Sequence, residues 1–247
     1  MNQLTFPWAG IERQALAFDD ESTPGGAAID VSTLPTEALS GGEMELLRSW
    51  LNDEENGRAE RFLHGEDRRD FVAAHALLRM QLRDRFPDLL FPATIAAGEQ
   101  GGKPRLSPTG NCDGGTVDFN ISHTRGMAAC VTAKDHDVGI DCEPLARKVD
   151  VALAEACFSQ LECEWLETQR SLTPSIAFLH LWTLKEAMTK ALGTGLTIDL
   201  KTFSVLPFPP RLVETSPDTG AQRRWAFWQW PSKDGFILAV AARDRDT

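Results

Sequence analysis

The sequence feature that most constrains the fold is an internal similarity between two segments of the chain. Gly126 and Gly235 lie 109 positions apart (235 minus 126), and each is followed by an apolar segment that ends in a basic and then an acidic residue. At this spacing Lys134 aligns with Arg243. Each copy has the pattern of a β-hairpin, and a helical segment precedes each hairpin. We therefore predict two related α+β halves, with chance similarity between two hairpins as the alternative.

The hydrophobic periodicity agrees with an α+β chain. Helical spacing of apolar residues predicts helices at 43–50, 59–85, 152–158 and 160–167, and a further helix that begins at Thr173-Pro174 and ends at Gly193. Strands are predicted at 16–18, 29–31, 117–121, 127–133, 138–142, 203–205, 225–230 and 236–242. The two halves would then be residues 1–136 and 137–247, and a cleft between them is a natural ligand site.

The composition excludes several classes of protein. With 42% hydrophobic and 25% charged residues, the chain has the composition of a folded globular protein rather than a disordered one. Its net charge of -11 argues against nucleic-acid binding, because phosphates are bound by clustered Lys and Arg side chains. We therefore expect no nucleic-acid partner.

The cysteines and the N-terminus predict a soluble, cytoplasmic protein. Five cysteines are an odd number and none forms a C-x-x-C pair, so we expect reduced thiols. The first residues contain neither a basic segment nor an apolar one, so no secretory signal is expected. The longest apolar run, residues 236–242, is too short to span a bilayer, and we expect no membrane partner.

Two carboxylates at the end of a predicted strand are the first candidates for chemistry. Asp141 and Glu143 are two residues apart, so the period of a strand places both side chains on one face. Mg²⁺ suits such a pair, because it binds carboxylates together with water and phosphate oxygens. A solvated carboxylate pair on an edge strand is the simpler alternative.

The predicted helix that ends at Gly193 carries a second group of candidates. Trp182, Glu186 and Lys190 are spaced four residues apart and lie on one helix face. Glu186 could add a third carboxylate to a metal site, and Lys190 could reach a phosphate. The alternative is a surface ion pair beside a tryptophan of the core.

Two further segments give weaker signals. Ser122 and His123 end a predicted strand, where a hydroxyl and an imidazole can hydrogen-bond to phosphate oxygens. A Ser-His nucleophile is disfavoured, because adjacent strand residues point to opposite faces and no G-x-S-x-G motif is present. Lys103 lies between Gly102 and Pro104, in a loop that offers a cation and a close backbone approach. A structural histidine and an ordinary loop are the alternatives.

Taken in order, four motifs resemble one family. They are G-K-P at 102–104, F-N-I-S-H at 119–123, G-I-D-C-E at 139–143 and W-T-L-K-E-A-M-T-K-A-L-G-T-G-L at 182–196. This combination resembles the 4′-phosphopantetheinyl transferase superfamily, and in particular its longer, surfactin-synthetase-activating type. The resemblance covers most of the chain from Glu54 onward.

The resemblance implies a function and a fold. Members of the family transfer the 4′-phosphopantetheine arm of coenzyme A to a serine of an acyl or peptidyl carrier protein and release adenosine 3′,5′-bisphosphate. In the longer type, two similar α+β halves form an intramolecular pseudo-dimer with coenzyme A in the cleft. The N-terminal half would then supply nucleotide and phosphate contacts, and the C-terminal half the metal site and the catalytic helix.

The resemblance also implies roles for individual residues. Mg²⁺ would be held on the pyrophosphate by three carboxylates, those of Asp141, Glu143 and Glu186. Coenzyme A would be bound by Arg58 at the 3′-phosphate, by Lys103 beside the adenine nucleotide, and by Ser122, His123 and Lys190 at the phosphates. The catalytic residues would be Glu186, Glu143 and Lys190. Either Glu186 or a water activated by Glu143 would take the serine proton.

The chain departs from the family at two positions. Cys142 replaces a usual Ile or Leu, which we expect to be neutral because the side chain should point into the core. Asp70 stands where a basic residue is common. The nucleotide contact is therefore left open among four arginines: Arg58, Arg61, Arg68 and Arg69.

Two other functions are alternatives at this point. One is a catalytically silent relative that binds coenzyme A or a carrier protein, and the other is an unrelated Mg²⁺-dependent nucleotide phosphohydrolase. Loss of a motif carboxylate would favour the silent relative, and none is lost. We expect a monomer, since the second half supplies the surface that a partner subunit would provide. The sequence does not choose among fatty-acid, polyketide and nonribosomal-peptide carriers.

Overall fold

A computed structural model describes most of the chain. The described residues are 10–18, 27–87, 95–96, 102–106, 115–193, 198–215 and 223–245. The predicted loop at 22–26 and the end of the glycine-rich motif at 194–196 lie outside these ranges. Much of the predicted loop at 98–115 also lies outside them, although residues 102–106 are described.

Strands and helices alternate in groups along the chain. The strands are β1 Glu12–Phe18, β2 Ala27–Pro35, β3 Ile95–Ala96, β4 Arg105–Leu106, β5 Val117–Thr124, β6 Met127–Lys134, β7 His136–Pro144, β8 Phe203–Pro207, β9 Pro210–Thr215, β10 Trp225–Pro231 and β11 Phe236–Asp244. The helices are α1 Gly41–Arg48, α2 Asp53–Ala59, α3 Gly65–Arg85, α4 Ala154–Cys157, α5 Gln160–Thr168 and α6 Pro174–Leu192.

Two antiparallel sheets form the centre of the molecule. The first has the strand order β1-β2-β6-β5, and the second has the order β10-β11-β7. The sheets share an apolar core, to which β6 contributes Met127 and Val131 and β11 contributes Leu238 and Val240. Helix α3 packs on the other face of the first sheet, and α6 packs on the other face of the second. The layers are therefore helix, sheet, sheet and helix.

The two sheets repeat the same pairing register. Pro35 pairs with Met127 in the first sheet, and Pro144 pairs with Phe236 in the second. Both members of the second pair lie 109 positions after their counterparts (144 minus 35, and 236 minus 127), which is the spacing found in the sequence. The similarity between the two segments therefore extends to their strand pairing, and the prediction of an α+β fold is confirmed.

The helix predicted at 59–85 is wrong in its first part. The structure ends α2 at Ala59 and begins α3 at Gly65, with a turn between them. The ring of Phe62, within that turn, packs against Phe71 of α3 with centroids 5.2 Å apart. Apolar spacing alone does not predict this turn, because the Phe62 side chain can pack against the core from a helix or from a turn. Three short strands were not predicted either: β3, β4 and β9. Strand β4 lies within the segment predicted as a loop, and β9 was missed because Pro210 and the proline before it are typical of a turn.

Strand β7 places alternate side chains on opposite faces. Cys142 points into the core between the sheets and is 2% exposed, so its predicted core position is confirmed. The intervening residues face α6. Gly139 allows a close approach there, because a Cβ atom at this position would overlap the backbone of the helix. Asp141 and Glu143 lie on that same face, as the strand period predicts.

The cysteines agree with a reduced protein. Cys130, Cys142, Cys157 and Cys163 are free, and Cys112 lies outside the described residues. Among the helices that the structure describes, none combines the length and the hydropathy needed to cross a membrane.

Candidate active site

Three elements bring five of the predicted residues together. Strand β5 contributes Ser122, β7 contributes Asp141 and Glu143, and α6 contributes Glu186 and Lys190. Because β5 belongs to the first sheet and β7 to the second, this group lies where the two sheets meet. The roles of these residues stay predictions.

The ammonium group of Lys190 lies at the centre of the group. Its Nζ donates to Asp141 Oδ1 at 2.6 Å, to the Ser122 hydroxyl at 3.1 Å and to the Ile140 carbonyl at 3.1 Å. The Ser122 hydroxyl donates to the same Asp141 oxygen at 3.1 Å. Burial alone would lower the pKa of Lys190, but the Asp141 carboxylate raises it above its usual value overall. Lys190 is therefore a fixed positive charge at neutral pH.

Two of the three carboxyl groups are harder to ionise than usual. Burial raises the pKa of Glu186, and the nearby Asp141 carboxylate raises it further. Burial also raises the pKa of Glu143, although the guanidinium of Arg147 pairs with that carboxylate and opposes the shift. Crowded carboxyl groups of this kind favour the arrival of an additional cation.

The free oxygens of the site fit a hard cation. Asp141 Oδ2 and Glu186 Oε1 are buried, and neither has a hydrogen-bond partner among the described residues. Within those residues, no three His, Cys, Asp or Glu side chains converge closely enough to hold a metal ion alone. Mg²⁺ does not need such a cage, because it commonly binds one or two carboxylates together with waters and substrate phosphates. The donor set therefore fits a cation that binds together with a phosphorylated ligand.

A second cluster, which contains an arginine and two histidines, lies beside this group. The Phe71 ring of α3 is surrounded by three basic groups: His75 at a centroid distance of 4.1 Å, His123 at 6.4 Å, and the Arg58 guanidinium at 5.3 Å. His123 has an exposed edge, yet desolvation by the surrounding atoms lowers its pKa, and the nearby His75 ring and the Lys190 ammonium group lower it further. Arg58 is exposed. These groups can bind an anion at the surface.

A buried ion pair supports this cluster from below. Glu55 accepts a hydrogen bond from Arg79 Nε at 2.8 Å, and the His75 Nδ1 lies 3.1 Å from its other carboxylate oxygen. Burial would raise the pKa of Glu55, but its hydrogen bonds with His75 and Arg79 hold the pKa down at about 2. Glu55 is thus ionised at neutral pH and fixes the orientation of the His75 ring.

The remaining predicted contact, Lys103, points into the molecule. Its ammonium group pairs with the Asp118 carboxylate and donates to the Val138 carbonyl at 2.7 Å. The Lys103 side chain is only 5% exposed. The predicted place of Lys103 beside the adenine nucleotide stays a prediction, and its ammonium group is already engaged within the protein.

Only one half carries the carboxylates. At the spacing of 109, the positions that match Asp141, Glu143, Glu186 and Lys190 are Ser32, Leu34, Leu77 and Gln81. Gln81 donates to the Asp30 carbonyl at 2.7 Å and to the Thr132 hydroxyl at 2.9 Å, so it binds the sheet much as Lys190 does. The matching positions of the first sheet and α3 keep this arrangement without the charges. Among the described residues, this second location therefore does not repeat the carboxylate site.

Sequence reasoning missed three residues near the site. Arg147 pairs with Glu143 four residues earlier, and His75 lies four residues after Phe71, so spacing could have identified both. Lys185 lies next to Glu186 but is fully buried, where it donates to both oxygens of Glu162 at 2.7 Å. No sequence signal separates its structural role from that of Lys190.

Comparison with known proteins identifies the family. The sequence model of the 4′-phosphopantetheinyl transferase superfamily matches residues 137–241. A 4′-phosphopantetheinyl transferase of Bacillus subtilis is 30% identical over 168 residues, which cover 68% of this chain and 71% of that protein. This chain belongs to the 4′-phosphopantetheinyl transferases.

Other phosphopantetheinyl transferases match over similar or greater lengths. The 4′-phosphopantetheinyl transferase HetI of Nostoc sp. is 29% identical over 202 residues, which are 81% of each chain. The L-aminoadipate-semialdehyde dehydrogenase-phosphopantetheinyl transferase of Schizosaccharomyces pombe is 28% identical over 160 residues, which are 60% of each chain. The matched superfamily region contains Asp141, Glu143, Glu186 and Lys190, whereas Ser122 and His123 precede it.

Proposed function

We propose that this chain transfers the 4′-phosphopantetheine arm of coenzyme A to a serine hydroxyl of an acyl or peptidyl carrier protein. The observation that carries the proposal is the ion pair between Lys190 and Asp141, with the Glu186 carboxyl group nearby, in a chain that belongs to the 4′-phosphopantetheinyl transferases. A fixed cation beside free carboxylate oxygens suits a reaction at a pyrophosphate, whose charge must be neutralised.

The metal in this proposal is Mg²⁺, held by carboxylates of Asp141, Glu143 and Glu186 together with phosphate oxygens of the substrate, because these side chains do not converge closely enough to hold a metal ion alone. The two buried oxygens without partners on Asp141 and Glu186 support it, as do the raised pKa values of Glu143 and Glu186. When bound, Mg²⁺ would neutralise pyrophosphate charge and stabilise the leaving group.

The basic groups would bind the remaining phosphates of coenzyme A. Lys190 and His123 would donate to the pyrophosphate oxygens, and the Ser122 hydroxyl would assist them. Arg58, which lies over the Phe71 ring, would bind the 3′-phosphate. Direct contacts with charged groups of this kind are the stronger hydrogen bonds that proteins form, so they would fix the pyrophosphate for attack.

The reaction exchanges one phosphorus–oxygen bond for another. The carrier serine oxygen forms a bond to the phosphorus that bears the pantetheine arm, and the bond from that phosphorus to the bridging oxygen breaks. Adenosine 3′,5′-bisphosphate leaves. The serine proton goes either to the Glu186 carboxylate or to a water held by Glu143. Because the pKa values of both carboxyl groups are raised towards neutral pH, each carboxylate is a better proton acceptor.

The physical setting of the reaction follows from charge and architecture. Because the chain has a net charge of -11, a carrier protein would dock on a local apolar or basic surface rather than through overall attraction. We infer a cytoplasmic monomer made of the halves 1–136 and 137–247, with no nucleic-acid or membrane partner.

The transfer can be tested by intact-mass spectrometry. A panel of apo carrier proteins from fatty-acid, polyketide and nonribosomal-peptide systems is incubated with the chain, coenzyme A and Mg²⁺. We expect at least one carrier to gain the mass of one phosphopantetheine group, and an excess of chelator to abolish the gain. If coenzyme A binds but no carrier gains mass, the chain is a silent binding relative. Hydrolysis of coenzyme A without a carrier would instead indicate a phosphohydrolase.

A further inference from the structure

We propose that Lys103 is a positioning residue, which anchors the loop at residues 102–106 to the active-site elements through a buried ion pair with Asp118. In this account, which rests on the proposed binding of coenzyme A, the ammonium group does not touch the nucleotide. The loop backbone beside Lys103 would face the ligand, and the side chain would hold that backbone in place from beneath.

The ion pair is enclosed by the protein. The Lys103 side chain is 5% exposed and the Asp118 side chain is 3% exposed. For the ammonium group to reach a ligand, it would have to leave a carboxylate that water cannot solvate. Separating a buried pair in this way is costly, because the remaining charge loses its compensation. The buried geometry therefore favours an anchor over a movable contact.

The anchor contacts β5 and β7 and lies beside the residue that caps α6. Asp118 lies on β5, four residues before Ser122, and it also accepts a hydrogen bond from the Val138 backbone at 2.8 Å, at the start of β7. Lys103 itself donates to the Val138 carbonyl at 2.7 Å. A Cβ atom built on Gly193, at the end of α6, would lie 3.4 Å from the Lys103 Cβ. A shift of Lys103 would therefore disturb β5, β7 and the end of α6.

Arg243 of β11 and Arg245, which follows that strand, extend the same network. Arg245 Nη2 lies 3.4 Å from Asp118 Oδ1, and Arg245 Nε donates to Asp137 Oδ1 at 2.6 Å. Arg243 Nε donates to the other oxygen of Asp137 at 2.9 Å. The Asp118 carboxylate thus pairs with Lys103 of the loop and with Arg245, and this limits the movement of both side chains.

The test compares Lys103→Met with Asp118→Asn and with the double variant. Asn can still accept the Val138 hydrogen bond, so Asp118→Asn removes the carboxylate charge that Lys103 and Arg245 share. Arg245 keeps its ion pair with Asp137, so Lys103 is the cation that loses its hydrogen-bonded carboxylate. Binding of coenzyme A and of 3′-dephospho-coenzyme A is measured by calorimetry, which requires no carrier protein, and kcat and KM are measured with a carrier. Lys233→Met is the matched control, because Lys233 pairs with Glu12 at the exposed surface.

An anchor predicts a specific pattern of results. Both single variants should weaken the binding of coenzyme A and of 3′-dephospho-coenzyme A by the same factor, about tenfold. A factor of this size is within the usual range of coupling between separated groups. The double variant should bind both ligands no more weakly than either single variant does. In the single variants KM should rise more than kcat falls, and Lys103→Arg should restore binding. If Lys103→Met does not fold, the binding of both ligands to Asp118→Asn carries the test.

Direct contact predicts a different pattern and would overturn the proposal. A 3′-phosphate contact would make the Lys103→Met defect disappear with 3′-dephospho-coenzyme A. A contact elsewhere on the nucleotide would leave Asp118→Asn with normal binding. The proposed function fails separately, if the unmodified chain binds coenzyme A but transfers nothing; the comparison of binding constants then still decides the role of Lys103.

Discussion

Substituting Gly139 tests whether the active site depends on close packing of α6 against β7. A Cβ atom at this position would overlap the Ala187 carbonyl oxygen and lie 2.5 Å from the Ala191 nitrogen, where ordinary contact begins at 3.4 Å. The neighbouring atoms are backbone, so no side chain can rotate away. Gly139→Ala therefore requires the helix to move by about 1.4 Å, the difference between 3.4 Å and the 2.0 Å that separates this Cβ position from the Ala187 carbonyl oxygen.

That displacement has consequences for both stability and catalysis. Overpacking of a core contact costs about 1–3 kcal/mol, which corresponds to a decrease in Tm of about 2–12 °C for a chain of this size. Glu186 and Lys190 move with the helix, whereas Asp141 stays on the strand. Because a misplacement of about 1 Å can cost about a hundredfold in rate, we expect kcat to fall by about that factor.

The assay combines thermal unfolding with phosphopantetheine transfer to an apo carrier protein. Gly57→Ala is the control, since Gly57 lies in α2 and a Cβ atom there meets nothing within 4 Å. We expect the control to keep full activity and unchanged or slightly greater stability. Full activity and an unchanged Tm for Gly139→Ala would refute the requirement for close packing.

Three further predictions concern single charges. Lys185→Met leaves Glu162 buried without its cation, so chemical denaturation should show a loss of about 3–5 kcal/mol, most of it recovered on adding Glu162→Gln. The pKa of Glu55 is held at about 2 in the folded chain, below its usual 4.5. Its contribution to the free energy of unfolding is therefore full above about pH 4.5 and is lost as the pH falls towards 2. In urea unfolding, Glu55→Gln should reduce the loss of stability between pH 5 and pH 3, and an unchanged loss would contradict this prediction. Arg147→Ala removes the cation that pairs with Glu143, so Mn²⁺ binding measured by electron paramagnetic resonance should tighten by about threefold, a size typical of an exposed ion pair; weaker binding would show that Arg147 helps to hold the site together.

Much of the site was predictable because regular elements fix it. The period of a strand placed Asp141 and Glu143 on one face and Cys142 in the core, and the period of a helix placed Glu186 and Lys190 together. The repeated spacing between the two hairpins also anticipated the matching strand registers. These features depend on local geometry, which sequence spacing specifies directly.

The remaining features depend on contacts between distant segments. The inward direction of Lys103 is set by Asp118 and Val138, which belong to strands far along the chain. The pairing of Lys185 with Glu162 likewise joins two helices, and its sequence neighbourhood resembles that of Lys190. The spacing of residues within α6 therefore does not distinguish the buried Lys185 from Lys190, which lies in the site.

The central claim, that transfer takes place at the carboxylates between β7 and α6, is tested most directly by Glu186→Gln. Glu45→Gln serves as the control, because Glu45 is exposed on α1. Transfer to an apo carrier is followed by intact mass, with thermal unfolding recorded for each variant. We predict that Glu186→Gln loses at least about a hundredfold in transfer rate while it remains folded, and that the control transfers normally. A folded Glu186→Gln variant that modifies its carrier at the unmodified rate would contradict the account.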